Sequence, residues 1–203
     1  MIQPEISDEL LLFVKKQIAG GSQKAFKELY DCYSIKLVHF AFAIVKQRDA
    51  ALEIVDEVFI KIWKHKEHFT EVSNIRVYLY TSVKNTALNF LSRKAKEQQT
   101  EPFDFINIQL NEDSSPEQRM ITSEIYQKIK TAINDLPARC KMIFKLVRED
   151  GLKYKEVAAI LNISENTVDA QMVIAVHRIS EAVKGQFDFF PSRANKKIEK
   201  IPS

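Results

Sequence analysis

Apolar residues recur at helical spacing through most of the chain, in two groups separated by a stretch without a period. In the first group Ser22 is placed to cap a helix whose inner face holds Ala25, Phe26, Leu29, Tyr30 and Tyr33. The same face continues into Leu37, Phe40, Ala41 and Ile44. A second long helix is predicted over residues 49–65, with Leu52, Val55, Phe59 and Ile62 as its core stripe. A loop over 66–73 leads to a third helix over 75–96. The period is then lost, with turn signals at Thr100-Glu-Pro102 and Asp113-Ser-Ser-Pro116. In the second group a helix over 117–133 is followed by one carrying Pro137 in its first turn and ended by Gly151. This pattern predicts an all-α fold of two small helical domains joined by an acidic linker. The boundaries are 1–96, 97–118 and 119–184, with a tail at 185–203 that is Phe-rich and then loosely basic.

The segment after Gly151 is the most specific. Residues 153–161 read as a short helix with Val157, Ala158 and Leu161 inward. Asn162-Ile-Ser164 then makes a tight turn: Asn tolerates left-handed backbone, Ile163 plugs the angle between helices, and Ser164 caps the next helix. Glu165 follows in the first turn, where negative charge suits the helix dipole. The second helix buries Val168, Met172 and Ala175 and turns Asn166, Thr167, Asp169, Ala170 and Gln171 outward. This is a helix-turn-helix. A helix of this size fits the DNA major groove, where Asn and Gln pair with adenine; the competing reading is an ordinary helical hairpin.

Composition narrows the remaining classes. Four glycines leave little room for phosphate-binding loops, and no nucleophile elbow or Cys/His pairing points to an enzyme. Cys32 and Cys140 lack metal-ligand spacing and read as small buried hydrophobes in a reducing compartment. His65 and His68 are one turn apart without a third ligand, so no metal and no cofactor is expected. Apolar runs such as residues 10–14 are too short to span a membrane and no secretory leader is apparent, so a cytoplasmic protein is expected. The net charge of +3 conceals six acidic and no basic residues at 97–118, between two mildly basic lobes. DNA contact must therefore be local rather than driven by bulk charge.

Two other surfaces call for explanation. On the 49–65 helix, Glu53, Asp56 and Glu57 share a side into which Ile60 falls. That arrangement is either a solvated face with one stray Ile or a docking strip for a basic partner helix, anchored by Ile60. Residues 72–96 hold no acidic side chain in 25 positions but include Arg76, Lys84, Arg93, Lys94 and Lys96. Tyr78, Tyr80 and Phe90 are interleaved, with Asn74, Asn85 and Asn89 beside them. Basic groups neutralise phosphates, aromatic faces stack on unpaired bases and amides read their edges, so this segment is a candidate single-strand binder. Phe90 is assigned to the core; Tyr78 and Tyr80 are kept as stacking candidates.

A duplex reader, a candidate single-strand reader and an acidic docking strip together resemble a bacterial RNA polymerase sigma factor of the sigma-70 family, in the small extracytoplasmic-function (ECF) group. The resemblance covers residues 22–184. It rests on Phe26-Lys-Glu-Leu-Tyr30, Ile54-Val-Asp-Glu-Val-Phe-Ile-Lys-Ile-Trp63, Tyr78-Leu-Tyr-Thr-Ser-Val-Lys-Asn85, Leu136-Pro-Ala-Arg-Cys140 and Gly151-Leu-Lys-Tyr-Lys-Glu-Val-Ala158, in that order. The Leu-Pro-Ala-Arg-Cys version is most similar to the group abundant in Bacteroidetes.

The resemblance implies that 1–96 is sigma region 2 and 119–184 sigma region 4. Glu53, Asp56, Glu57 and Ile60 would dock on the basic coiled coil of the largest subunit of core RNA polymerase. The loop at 69–75 and Asn74, Arg76, Tyr78, Tyr80, Lys84, Asn85, Asn89 and Arg93 would hold the melted −10 strand. Tyr154, Ser164, Asn166, Thr167, Asp169, Ala170 and Gln171 would face the −35 element as duplex. The acidic linker would pass near the RNA-exit path, and an anti-sigma protein would be a further partner; no small-molecule ligand and no membrane insertion are implied. The chain departs from the family at Asp56, where Gln is common, which keeps the strip acidic. It departs again at Val173-Ile174, where a polar and a basic residue are usual, so one −35 contact is missing.

A stand-alone helix-turn-helix regulator binding operator duplex is the alternative. It has no use for the acidic strip or the basic 72–96 segment, and it would want a dimer seam or a ligand pocket.

Overall fold

A computed structural model describes residues 8–98 and 122–184. The acidic stretch beyond residue 98 and the Phe-rich tail, both singled out in the sequence, lie outside the described residues. Among the described residues the regular structure is helical: α1 (Asp8–Ala19), α2 (Gln23–Val45), α3 (Arg48–Lys64), a 3-10 turn (Lys66–Glu71), α4 (Ile75–Gln98), α5 (Thr122–Asn134), α6 (Ala138–Arg148), α7 (Tyr154–Leu161) and α8 (Glu165–Val183).

The cap residues act as their chemistry dictates. Ser22 Oγ accepts from the Ala25 amide at 3.3 Å and opens α2. Gly151, in left-handed backbone at φ 74°, turns the chain out of α6, and Asn162 at φ 55° does the same after α7. Ser164 Oγ accepts from the Thr167 amide at 3.1 Å and opens α8. Ser164→Ala is accordingly expected to cost about 1 kcal/mol of stability, read as a lowered midpoint in urea denaturation; an unchanged midpoint contradicts the capping role.

Helices α2, α3 and α4 pack on one another around Leu37, Ala41, Val55, Leu79, Val83 and Ala87, all fully buried. The α1 helix was not anticipated. It lies against the 3-10 turn, where the buried Lys15 donates Nζ to the Val72 carbonyl at 2.7 Å. On α3 the buried face is Ala51, Ile54, Val55, Val58 and Ile62, with Phe59 at its edge. Leu52, expected in the core, is 44% exposed instead. It stands about 100° from Ala51 around the helix, on the flank of the acidic strip. In the second group α5 and α6 pack on α8, and α7 packs on α8. Here Ile160 is fully buried and Leu161 only half-buried, the reverse of the expected order at the end of α7.

The reason is that α7 is covered on two sides. Its second neighbour is α4, and the buried core runs without a break from Leu79 and Val83 into Leu152, Val157 and Ile160. The two helical groups therefore share one apolar interior.

Candidate nucleic-acid interface

Three surfaces emerge from this framework. The first is the outer side of α3, where Glu53, Asp56 and Glu57 are exposed and Ile60 is 53% exposed. Tyr30 on α2 donates its hydroxyl to Asp56 Oδ1 at 3.0 Å, fixing that carboxylate toward one end of the strip. The Tyr30 ring packs edge-on against Phe59 with centroids 4.8 Å apart, so the core of the bundle holds the orienting residue. Glu57 is paired with Lys61 at 2.5 Å, an exposed pair of little stabilising value that a stronger cationic partner can replace. Leu52 adds a second aliphatic side chain one turn before Asp56. The sequence signal for it was present: Ile54 and Val58 complete a buried stripe that excludes Leu52.

The second surface is α4, where the eight residues expected to face melted DNA divide between two faces. Tyr78, Asn85 and Asn89 fall within about 20–40° of one another at 100° per residue, and all three are exposed. The Tyr78 ring is 38% exposed and braced edge-on by Phe69 of the 3-10 turn, centroids 6.0 Å apart. Arg93 is exposed, with its guanidinium 5.9 Å from the centroid of the half-buried Phe90 ring. Asn74 caps the helix through Oδ1, which accepts from the Val77 amide at 3.0 Å. Arg76, Tyr80 and Lys84, spaced by four, occupy the other side, where Arg76 reaches the Gly151 carbonyl and Lys84 that of Ile160 on α7. Tyr80 is 1% exposed and packs on Phe40 with centroids 5.2 Å apart, so its face is not available to a base. Four-residue spacing from Arg76 carries Tyr80 inward; the aromatic-among-cations pattern alone did not separate it from Tyr78.

The electrostatics of this inner side follow from burial. The Tyr80 hydroxyl sits against the Asp150 carboxyl without meeting the geometry of a hydrogen bond, and burial pushes its pKa far up. Burial also pushes Asp150 from the ordinary 3.8 to about 6, against the pull of Tyr80, Lys36 and Lys145. The charged and titratable groups acting on it are Lys36 from α2, Tyr80 from α4, and Lys145 and Glu149 from the end of α6, while Tyr33 and Arg76 act on the Tyr80 hydroxyl beside it. Between pH 4 and 6 the folded chain thus holds a proton that the unfolded chain has released. This group's contribution to stability is complete below the ordinary value, falls as pH rises through about 6, and is flat above. Asp150→Asn is expected to remove that dependence. The stability of the variant relative to the parent should rise between pH 4 and 6 and level off near 1 kcal/mol in its favour above pH 7, on the order expected of a partly hydrated carboxylate. A difference that stays constant across the range contradicts the assignment.

The third surface is the outer side of α8. Asn166, Asp169 and Ala170 are exposed, while Thr167 and Gln171 are half-buried. Ser164 is committed to Thr167, whose Oγ1 lies 2.8 Å from its hydroxyl, and the Gln171 carbonyl accepts from Cys140 Sγ at 3.2 Å. Tyr154, at the start of α7, is half-buried. Val173 and Ile174 project outward, 62% and 40% exposed, continuing the helix face with apolar side chains. Both thiols are raised by burial above the ordinary range, Cys32 against the pull of Lys36 and Arg76, and neither is set up as a nucleophile. His68 pairs through Nδ1 with Glu71 at 3.1 Å. Among the described residues no helix is long and apolar enough to cross a membrane.

Comparison with known proteins adds to this geometry. Residues 29–97 match the family model for sigma-70 region 2, and residues 126–176 match that for sigma-70 region 4. The ECF RNA polymerase sigma-E factor of Escherichia coli K12 is 29% identical over 187 residues, covering 89% of this chain and 96% of that protein. The ECF RNA polymerase sigma-E factor of Haemophilus influenzae is 26% identical over 188 residues, covering 89% and 97%. Two solved structures share the fold. The sigma factor RpoE of Bartonella quintana, in complex with the anti-sigma factor NepR, has a TM-score of 0.55 at 23% identity, covering 80% of this chain and 99% of that one. CnrH in complex with the cytosolic domain of CnrY has a TM-score of 0.54 at 16% identity, covering 86% and 97%.

Proposed function

The chain belongs to the ECF group of the sigma-70 family, and from that premise we propose which of its surfaces perform each step of transcription initiation. As a sigma factor it binds core RNA polymerase and directs promoter recognition and opening. In our reading 1–96 supplies docking and −10 recognition, and 119–184 supplies −35 recognition. Glu53, Asp56, Glu57 and Ile60, joined by Leu52, meet the basic coiled coil of the largest subunit. Tyr78, Asn85, Asn89 and Arg93 hold the melted −10 strand, with Asn74, Arg76 and Lys84 on its phosphates. Asn166, Thr167, Asp169, Ala170 and Gln171 read the −35 duplex. Tyr80 acts from within the fold, holding α4 in place.

The observation that carries this reading is the α3 strip, three exposed carboxylates around two exposed aliphatic side chains on a helix whose opposite face is wholly buried. Such a surface has the charge for a basic helix and an apolar anchor for affinity. Opening requires no catalysis by the chain itself: bases drawn from the stack exchange lost stacking for contacts to Tyr78 and the Asn side chains. The protein works in the cytoplasm beside the polymerase. Because the two solved structures described above carry a bound protein, one named an anti-sigma factor, a regulator of that kind is a partner for this chain as well. We read the Leu136–Cys140 stretch as that of the Bacteroidetes-like branch of the group.

The test uses a promoter selected from genomic fragments by the reconstituted holoenzyme. Tyr78→Ala with Asn85→Ala is expected to retain duplex binding but lose permanganate reactivity of the promoter thymines. Equal reactivity in the variant contradicts the single-strand assignment.

A further inference from the structure

The flank of α4 that carries Arg76 and Lys84 is covered by the helix-turn-helix itself. Glu156, 7% exposed on α7, lies at the centre of the contact. Its Oε1 accepts from Asn74 Nδ2 at 2.8 Å and lies 3.8 Å from Arg76 Nε. Its Oε2 accepts from the Lys153 amide at 2.9 Å, so the same carboxylate also caps α7. Arg76 reaches the Gly151 carbonyl at 3.5 Å, and Lys84 donates Nζ to the Ile160 carbonyl at 2.6 Å. Beneath these polar links Leu152, Val157 and Ile160 join the core that contains Leu79 and Val83. A chance touch of two surfaces does not produce this combination of a buried apolar interior and matched donors and acceptors at both the start of α4 and two turns further along it.

We propose that the chain has a closed state in which α7 clasps α4 through Glu156, and that this clasp must open before Arg76 and Lys84 can engage the −10 strand. The proposal rests on the −10 reading given above. The occlusion is selective: in the closed state the α3 strip and the outer side of α8 remain exposed, so docking on polymerase and contact with duplex precede opening. The clasp is also poised rather than locked. Asp150, near Lys36 of α2 and Tyr80 of α4, and Lys46, at the end of α2 near Lys141 of α6, are both desolvated where the two groups of helices meet, Lys46 with its ammonium buried without a hydrogen-bond partner. Both regain water when the two groups of helices part. Region 4 of this chain thus acts as a gate on its own region 2.

Two measurements decide the matter. First, the full-length chain with Cys32 and Cys140 replaced by Ala is spin-labelled at the exposed positions 24 and 181, and the label separation is measured by pulsed electron resonance. One narrow distance is expected, and a broad, longer distribution in the Glu156→Arg variant. A broad distribution in the parent overturns the closed state, and a distribution unmoved by Glu156→Arg overturns Glu156 as the latch. Second, Lys36→Cys with Asp150→Cys, in the same background, is bridged by a cleavable bismaleimide, and circular dichroism checks the fold. The bridged chain should still join core polymerase. Its holoenzyme should bind a random-sequence pool of single-stranded 20-mers about tenfold or more weaker than the unbridged one, as expected when the competent state is withdrawn. Cleavage of the bridge should restore binding. Equal binding before and after cleavage overturns the occlusion. Failure of even the unbridged holoenzyme to retain the pool overturns the −10 reading and the occlusion with it, while the distance measurement still decides the clasp.

Discussion

A chain carrying Glu53→Arg and Ile60→Ala is expected to lose stable association with core RNA polymerase while keeping its helical structure. Ile60 is 53% exposed at the centre of the strip, where a buried aliphatic anchor in a complex commonly contributes on the order of 2 kcal/mol or more. Glu53→Arg places a cation opposite a basic partner helix, which slows encounter as well as weakening the complex. The two effects together correspond to about a thousandfold or greater loss of affinity. Neither side chain is part of the core, and Ala in place of Ile favours the helix, so the folding free energy should stay within about 0.5 kcal/mol of the parent. Titration of fluorescently labelled chain with core enzyme measures the first effect and urea denaturation the second. Unchanged affinity in a folded variant rules out this strip as the docking site.

Tyr80→Ala should unfold the protein far more readily than Tyr78→Ala, although the two residues stand only two positions apart in one pattern of the sequence. Tyr80 is 1% exposed and stacked against Phe40, so truncation leaves a cavity and is expected to cost about 3–5 kcal/mol. Tyr78 is 38% exposed and meets only Phe69 edge-on, so its loss costs about 1 kcal/mol or less. Tyr80→Phe should cost far less than Tyr80→Ala, because the ring that packs on Phe40 is kept. Equal stability of the two alanine variants contradicts the placement of Tyr80 in the core.

The pair also shows where sequence reasoning reaches its limit. Periodicity and cap chemistry were enough for α2, α3 and α4, for the turn at Asn162, and for the inward set Val168, Met172 and Ala175 on α8, because each depends on neighbours within a few residues. Leu52 was assigned to the core because a three-four-three spacing admits it; the true stripe is set by which helices lie alongside, and they cover Ile54 and Val58 instead. Ile160 and Tyr80 owe their burial to long-range packing: Ile160 lies where α7 meets α4, residues about 75–82 positions apart in the chain, and Tyr80 lies against Phe40 of α2. No local pattern encodes either contact. Nothing in the sequence around Asp150 and Glu156 marks either out, and only the fold turns one into a desolvated acid and the other into a link between the two groups of helices.

The central claim is that this chain is a polymerase subunit that docks through α3, and gel filtration of the full chain with core RNA polymerase, without DNA and at moderate salt, tests it most directly. The account predicts co-elution at one-to-one stoichiometry, lost in the Glu53→Arg, Ile60→Ala variant. Separate elution of a chain that is fully helical by circular dichroism contradicts it.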